Sequence, residues 1–399
     1  MNILLIIGIA AFTGFIAGKL FNQLKIPAVV GWTAMGVVMG SSVAGVFSQE
    51  MLSRSEIIFE LALGFIGFSI GEELVLPKLR RLGKPIVIMT IFGSIVPFFI
   101  VAPVVFAITG NIHLSLILGA ISSATAPAAT VMVIEEVRAR GDLTTTILGI
   151  VALDDAVCLI LYAFAASIAK IFIAPGAHFS FFLAIIQPMQ EIFGAILLGC
   201  GMGALLSLSS RWVKSSTDFF VIVVAAILLN IGLSTLFGFS ELLANMSLGA
   251  TIANLSPRPL RRISNIWRNS TPFLYIIFFC LSGAYLNAKL VFEIGLLGLA
   301  YTGARMAGKF LGAYFGAKIS DAPKVIQKFA GLSLFPQAGV ALALAMMAKK
   351  DFSPYGAEGA ALANIIINLL LFTIIITEIV GPYLTRWSLI KSGEAQRGT

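Results

Sequence analysis

The chain has 399 residues, of which 58% are hydrophobic and only 12% are charged, and its mean hydropathy is +0.99. A soluble domain carries roughly 25% charged residues, so a water-soluble fold is excluded. The net charge of +8 comes from 27 basic and 19 acidic residues, and the basic ones stand in short segments between apolar stretches. Each stretch is long enough to cross about 30 Å of hydrocarbon. This pattern predicts a polytopic membrane protein and not a nucleic-acid-binding one.

The residue types that build metal clusters and enzyme active sites are scarce. Three cysteines are dispersed in apolar stretches without C-x-x-C spacing, and only two histidines occur. This composition fits neither a disulfide framework nor a zinc site. The chain also lacks a P-loop, a dinucleotide-binding fingerprint, an HExxH motif and a GxSxG motif. We therefore expect no cofactor, no nucleic-acid partner and no enzymatic activity.

Charged, proline-rich and glycine-rich breaks divide the chain into thirteen segments, each of which we predict as a transmembrane helix. In order, the segments cover residues 3–21, 27–47, 55–76, 85–108, 112–135, 142–173, 181–208, 217–235, 240–256, 271–287, 290–318, 326–348 and 356–390. Twenty basic residues lie at the junctions that follow odd-numbered segments, counting the C-terminal tail, and five lie at the junctions that follow even-numbered ones. The remaining two, Arg305 and Lys309, lie inside the eleventh segment. By the positive-inside rule the N-terminus is outside and the C-terminus is cytoplasmic. We expect the protein to lie in the inner (plasma) membrane.

Two pairs of segments resemble each other at one common offset. Gly71 and Gly283 lie in the third and tenth segments, and Gly119 and Gly331 lie in the fifth and twelfth; both pairs are 212 residues apart. Seven helices separate the members of a pair, so the two copies would run in opposite directions. We predict an all-α membrane protein of about 13 helices, with two inverted six-helix repeats and crossed, interrupted helices. Such repeats are typical of secondary transporters; chance similarity between apolar segments is the alternative.

Two adjacent acids stand in the middle of the sixth segment. Asp154 and Asp155 lie roughly 15 Å from its cytoplasmic end at 1.5 Å per residue. A carboxylate at that depth costs about 2.5–3.5 kcal/mol on insertion scales, so the pair indicates a function. Each carboxylate could hold a proton or a hard cation. The alternative is a pair that only fixes packing through hydrogen bonds.

The fifth and twelfth segments each contain a proline at mid-span. Pro127 follows Ser123 and Thr125, and Pro336 precedes Gln337. Proline frees main-chain carbonyls, which are tolerated at membrane depth only inside protein or beside a cavity. These carbonyls and the hydroxyls of Ser123 and Thr125 are oxygen ligands that a hard monovalent cation would accept. Two ordinary proline kinks are the alternative.

The eleventh segment carries Arg305 and Lys309 on one helical face. Lys309 is roughly 14 Å from the cytoplasmic end, which matches the depth of the aspartates. A buried lysine needs a counter-ion, and Asp154 or Asp155 is the nearest in depth. Arg305 either pairs with Glu378 of the last segment or extends toward the exterior. Glu191 in the seventh segment has no role that the sequence explains.

Together these residues resemble the monovalent cation:proton antiporter superfamily, in particular NapA-like bacterial sodium/proton antiporters. The likeness spans nearly the whole chain, and its most specific parts are residues 153–155 (LDD), 125–127 (TAP), 308–309 (GK), 334–339 (LFPQAG) and 379–382 (IVGP). The resemblance implies that Asp155 binds the ion, with Asp154 as a further Na⁺ ligand, and that Asp154 pairs with Lys309. Supporting roles fall on Arg305, Gln337 and Glu378.

The resemblance also implies a domain division and a homodimer embedded in membrane lipids. Helices of residues 81–175 and 290–399 would form a moving core, residues 1–80 and 213–289 a dimerisation domain, and residues 176–212 a linker helix. In the family that the chain resembles, two adjacent aspartates imply electrogenic exchange.

We hypothesise that the protein exchanges Na⁺, or Li⁺ or K⁺, for protons by alternating access and serves pH homeostasis. A cation channel or uniporter is an alternative, although it normally repeats a pore loop around a symmetry axis. A sodium-coupled symporter of an organic anion is another. An intramembrane aspartyl protease is disfavoured because neighbouring residues on one helix point about 100° apart and cannot share a proton.

Overall fold

The computed structural model describes residues 3–24, 27–48, 51–52, 55–173, 181–210, 212–287, 290 and 294–395. Within these residues every extended regular element is a helix, apart from an isolated bridge between Gly40 and Phe47. In chain order the helices are α1 Ile3–Gln23, α2 Ala28–Met39, α3 Glu56–Glu73, α4 Leu76–Thr109, α5 Ile112–Ile121, α6 Pro127–Glu136, α7 Asp142–Ile173, α8 Phe181–Ser209, α9 Ser216–Phe237, α10 Glu241–Leu255, α11 Pro257–Gly283, α12 Gly295–Ile319, α13 Lys324–Phe329, α14 Gly339–Phe352 and α15 Gly356–Lys391.

Several helices have the length and composition needed to cross a membrane. Six apolar helical ranges in the described chain meet this condition: Leu4–Gln23, Gly83–Thr109, Asp142–Ile173, Met189–Ser209, Ser216–Phe237 and Gly339–Lys391. The last range contains both α14 and α15. Shorter apolar helices cover Ala28–Met39, Ile112–Ile121 and Asn269–Gly283. The predicted all-helical, multi-pass membrane architecture is therefore confirmed.

Two of the predicted segments are interrupted, as the prolines indicated. Residues 112–135 fold as the half-helices α5 and α6, separated by residues 122–126. Residues 326–348 fold as α13 and α14; a 3-10 turn, Ala330–Leu334, extends α13, and residues 335–338 separate it from α14. Pro127 is the first residue of α6, a position where its missing N–H costs nothing.

The second segment is shorter than the predicted 27–47, because α2 ends at Met39. Gly40 caps the helix in an extended conformation, and Gly45 adopts a positive φ of 66°. The hydroxyl of Ser42 then donates a hydrogen bond to the carbonyl of Leu286 at 2.8 Å. The prediction was wrong here because hydropathy does not register glycines that turn the chain.

The tenth segment is longer than the predicted 271–287, because α11 begins at Pro257. The basic stretch that we predicted as a loop is helical and amphipathic. Arg258 and Arg261 are exposed, whereas Ile263 and Trp267 are buried. Charge content led to the error, although the helical spacing of the apolar residues was present in the sequence.

A ridge of glycines brings α12 into direct contact with α4. A Cβ atom on Gly308 would lie 2.6 Å from Cα of Pro97, and one on Gly316 would lie 2.7 Å from Cα of Met89. Small residues permit this approach of two main chains. The contact fixes the rotation of α12 and thereby the direction in which its charged residues point.

The glycines that suggested an internal repeat occupy equivalent kinds of contact. Gly71 of α3 lies against the main chain of α10, and Gly283 of α11 lies against the main chain of α2. Gly119 of α5 packs on α4, and Gly331 packs on α12. In both sets a glycine marks a close helix–helix approach.

Candidate functional site

The two helix interruptions meet inside the protein. The main-chain N–H of Ala126 donates to the carbonyl of Pro336 at 2.9 Å. The side-chain amide of Gln337 donates to the carbonyl of Ile121, also at 2.9 Å. Each broken helix therefore satisfies polar groups that the other leaves free, as buried main chain requires.

Arg305 joins both interruptions through one guanidinium group. It is 0% exposed. Its Nη1 donates to the carbonyl of Phe335 at 2.6 Å, and its Nη2 donates to the carbonyls of Ala124 at 2.6 Å and Pro336 at 3.3 Å. The planar fork of arginine suits this arrangement of acceptors. The sequence left two alternatives for Arg305, a pair with Glu378 or an extension toward the exterior. The structure shows neither, because the guanidinium group donates its hydrogen bonds to main-chain carbonyls.

Glu378 of α15 is buried near this clamp. Glu378 is 3% exposed, and neither of its carboxylate oxygens forms a hydrogen bond of ordinary geometry within the described residues. The groups that act on it electrostatically are the Arg305 guanidinium and the main-chain N–H of Gln337. Glu378 thus lies near enough to Arg305 for an electrostatic interaction through space but forms no hydrogen bond with it.

Lys309 lies one helical turn from Arg305 and is also 0% exposed. Its ammonium group donates to the carbonyl of Ser123, to Oγ1 of Thr125 at 2.8 Å and to Oδ2 of Asp154 at 3.2 Å. These three acceptors use all three donors of a lysine. The result is a fully buried ion pair whose cation is completely hydrogen-bonded.

Asp155 is 6% exposed and follows Asp154 on α7. Consecutive residues on a helix point about 100° apart, so the two carboxylates face different surroundings. The hydrogen bonds of Lys309 go to Asp154 and to the first interruption, not to Asp155. The structure therefore places two acids of unlike environment side by side at the helix crossing.

The remaining predicted ligands line the crossing in different ways. The hydroxyl of Ser123 donates to the carbonyl of Ser94 on α4, so it is the main-chain carbonyl of Ser123 that faces Lys309. The hydroxyl of Thr125 also lies against the Asp154 carboxylate. Tyr301 accepts a hydrogen bond from the Gln337 amide at 3.3 Å. The sequence analysis did not identify Ser94 and Tyr301. The available signal was that Ser94 is, with Thr90, one of two polar residues in the apolar stretch of residues 85–108.

The atoms that meet at the crossing are oxygen donors. Within the described part of the chain, no group of three or more His, Cys, Asp or Glu side chains could hold a resident metal. Carboxylates, hydroxyls and main-chain carbonyls instead converge at the crossing, and these are the oxygen donors that hard cations prefer.

The comparison with known proteins agrees with this geometry. Residues 7–391 match the family described as sodium/hydrogen exchanger, transmembrane. The chain belongs to this family. The predicted antiporter resemblance is therefore confirmed, and this sodium/hydrogen exchanger is a transporter that exchanges cations for protons.

Curated relatives of the exchanger carry antiporter names. The ammonium/H(+) antiporter subunit AmhT of Alkalihalophilus pseudofirmus is 22% identical over 368 residues, which cover 90% of this chain and 89% of AmhT. The Na(+)/H(+)-K(+) antiporter GerN of Bacillus cereus is 23% identical over 395 residues, 96% and 95% of the two chains. The two names give different cations, ammonium for AmhT and Na⁺ and K⁺ for GerN.

A solved structure shares the fold of the exchanger over nearly its full length. The sodium proton antiporter MjNhaP1 from Methanocaldococcus jannaschii, determined at pH 8, superposes with a TM-score of 0.83. The match covers 98% of both chains at 17% sequence identity.

Proposed function

We propose that this exchanger carries Na⁺, with Li⁺ or K⁺ as further substrates, out of the cytoplasm in exchange for external protons. Asp155 is the carboxylate for which cation and proton compete, and Asp154, Thr125 and Ser123 contribute to the site. The observation that carries this proposal is the buried pair of Lys309 and Asp154 at the helix crossing. It gives Asp154 a fixed counter-charge, and the resemblance to antiporters with two adjacent aspartates gives the exchangeable role to Asp155.

Competition for one carboxylate couples the two fluxes. A bound cation needs the charge of the carboxylate, and a bound proton removes that charge, so loading one ligand expels the other. Each ligand drives the conformational change only through its different affinity for the inward-facing and outward-facing states. We propose that exchange is electrogenic, as the resemblance to antiporters with two adjacent aspartates implies.

We propose that residues 81–175 and 290–399 move as a core against a dimerisation domain of residues 1–80 and 213–289, with residues 176–212 as linker. The crossing and the α4–α12 contact lie within the core, and the α3–α10 and α2–α11 contacts lie within the other unit. The boundaries at 176 and 289 lie outside the described residues. The equivalent glycine contacts support two inverted repeats, for a total of about 13 transmembrane helices.

We propose that the exchanger is a homodimer in the inner membrane, with its N-terminus outside, its C-terminus in the cytoplasm and a role in pH homeostasis. The excess of basic residues after odd-numbered segments supports this orientation.

The test uses proteoliposomes with an acidic interior and a trapped pH dye. Na⁺, Li⁺, K⁺, NH₄⁺ or choline is added outside, and protein-free vesicles correct for the permeation of ammonia. We expect alkalinisation by an alkali cation but not by choline, its loss in Asp155→Asn, and its retention in Asp218→Asn, the same change at an exposed acid. Wild-type exchange by Asp155→Asn would overturn the assignment of Asp155.

Electrogenicity is tested in the same vesicles. A membrane potential imposed with K⁺ and valinomycin should change the initial rate of Na⁺-driven alkalinisation. An unchanged rate at every potential would contradict electrogenic exchange while leaving the antiport itself intact.

A further inference from the structure

A charged cluster far from the ion site joins the last turn of α14 to the predicted dimerisation domain. The ammonium group of Lys350 lies 2.8 Å from Oε1 of Glu60 on α3 and 2.5 Å from Oε1 of Glu241 on α10. The Glu241 side chain is 9% exposed, whereas those of Lys350 and Glu60 are about one third exposed. One lysine of the core thus holds two carboxylates of the other domain.

The residues on either side of Lys350 also make cross-helix contacts. Lys349 donates to the hydroxyl of Tyr285, which follows α11, at 2.7 Å, and its ammonium lies 4.3 Å from the centre of the Tyr285 ring. Asp351 pairs with Lys170 of α7 at 2.9 Å, and Lys170 lies 3.6 Å from Glu191 of α8. The buried Glu191, which the sequence left unexplained, therefore belongs to this cluster.

The cluster lies at the predicted external end of the helices. Lys170 stands fifteen residues after Asp155 on α7, which places it roughly 22 Å from the ion site along the helix axis. Glu241 begins α10, and Lys350 lies in the last turn of α14. A rearrangement of this charged cluster therefore does not directly change the contacts of the ion ligands.

The contact between α14 and its neighbours is loosely filled around Lys350. A cavity of about 170 Å³ is lined by residues that include Leu63, Glu241 and Lys350. A second cavity of about 230 Å³ is lined by residues that include Glu60, Leu63 and Lys350. Lys350 borders both pockets and its side chain is 37% exposed, so its ion pairs with Glu60 and Glu241 are accessible to water.

We propose that Lys350 is a positioning residue of the transport cycle. Its ion pairs with Glu60 and Glu241 hold the external side of the ion path closed and break each time Asp155 turns to face outside. This inference rests on the proposed division into a core and a dimerisation domain. Partly exposed ion pairs suit the role because they bias two states without locking either one.

The consequence is a shift in the apparent affinities on the two faces. A ligand's apparent dissociation constant is its intrinsic value divided by the fraction of protein in the competent state. Lys350→Gln enlarges the outward-facing fraction, so the half-saturating cation concentration should fall at least threefold on the external face and rise on the cytoplasmic face. A merely structural defect lowers the rate without moving these values in opposite directions.

The experiment measures cation-driven proton flux from each face, in vesicles of known protein orientation. Lys350→Arg should retain the wild-type values, and Lys324→Gln, the same change at an exposed lysine, should be neutral. Glu60→Gln should shift both values in the direction of Lys350→Gln and covers the case in which that variant is unstable.

Unchanged values in both Lys350→Gln and Glu60→Gln, or shifts of the same sign on both faces, would overturn the proposal. We also expect both variants to exchange cations for protons, because neither side chain is an ion ligand; loss of exchange in both would likewise overturn the proposal. If Asp155→Asn is as active as wild type, the proposed site fails independently of this result.

Discussion

The main-chain N–H of Ala126 donates a hydrogen bond to the carbonyl of Pro336, 2.9 Å away, at the point where the two interrupted helices cross. Arg305 of a third helix binds carbonyls on both sides of this bond. Separating the interruptions would strand several buried polar groups, each at a cost of about 1–3 kcal/mol. The two interruptions and the Arg305 side chain therefore form one hydrogen-bonded unit.

Arg305→Lys should destabilise the protein although it keeps the charge. A single ammonium group cannot reach the carbonyls of both Ala124 and Phe335 in the positions that the guanidinium fork occupies. We expect a loss of about 1.5–3 kcal/mol for each charged hydrogen bond removed. Thermal unfolding of the purified protein measures this loss of stability. Arg386→Lys is the control, since that guanidinium side chain is 56% exposed and should tolerate the change; equal stability of the two variants would contradict the clamp.

Lys309→Met should be far more harmful alone than together with Asp154→Asn. Breaking a buried ion pair leaves an uncompensated charge and costs about 3–5 kcal/mol, whereas removing both charges is often nearly neutral. The double variant should recover most of the unfolding temperature that Lys309→Met loses. A double-mutant cycle on thermal stability provides the measurement. Additive losses would show that the two side chains do not depend on each other.

Gly308→Ala should lower stability, whereas Gly303→Ala on the same helix should not. A Cβ atom at position 308 would press on Pro97, but one at position 303 meets nothing within 4 Å. Overpacking costs about 1–3 kcal/mol, while alanine is intrinsically the better helix former by about 1 kcal/mol. The free energy of unfolding of each variant is measured in a denaturant series. The value for Gly303→Ala gives the helix-propensity effect alone, and its difference from the value for Gly308→Ala gives the cost of overpacking. Equal behaviour of the two variants would argue against a close α4–α12 contact.

Acidification should raise the cation concentration that gives half-maximal exchange. If proton and cation compete for Asp155, the apparent cation affinity falls about tenfold per pH unit wherever that carboxyl is mostly protonated, and is constant wherever it is ionised. Initial rates across a pH series, with equal pH on both sides at the start, give the dependence. A maximal rate that falls on acidification with an unchanged half-saturating concentration would point to a proton site separate from the cation site.

Much of the site was predictable because hydrocarbon penalises every intramembrane charge. Counting residues from the helix ends that the sequence predicts as cytoplasmic gives Lys309 the same depth as the aspartates, and the prolines mark both interruptions. The errors arose where hydropathy is a poor guide. The chain turns at Gly40 with little change in hydropathy, and the basic start of α11 is helical because Ile263 and Trp267 recur at helical spacing.

The sequence by itself determined the membrane setting, the order of the helices and the small set of polar groups that must lie at membrane depth. These follow from local composition and from the cost of burying charge. Only the tertiary structure decided the partners. It showed that Lys309 forms an ion pair with Asp154, that Arg305 donates hydrogen bonds to main-chain carbonyls, and that Lys350 forms ion pairs with both Glu60 and Glu241. Partners depend on how each helix rotates and crosses its neighbours, and close main-chain contacts far apart in the chain set that rotation.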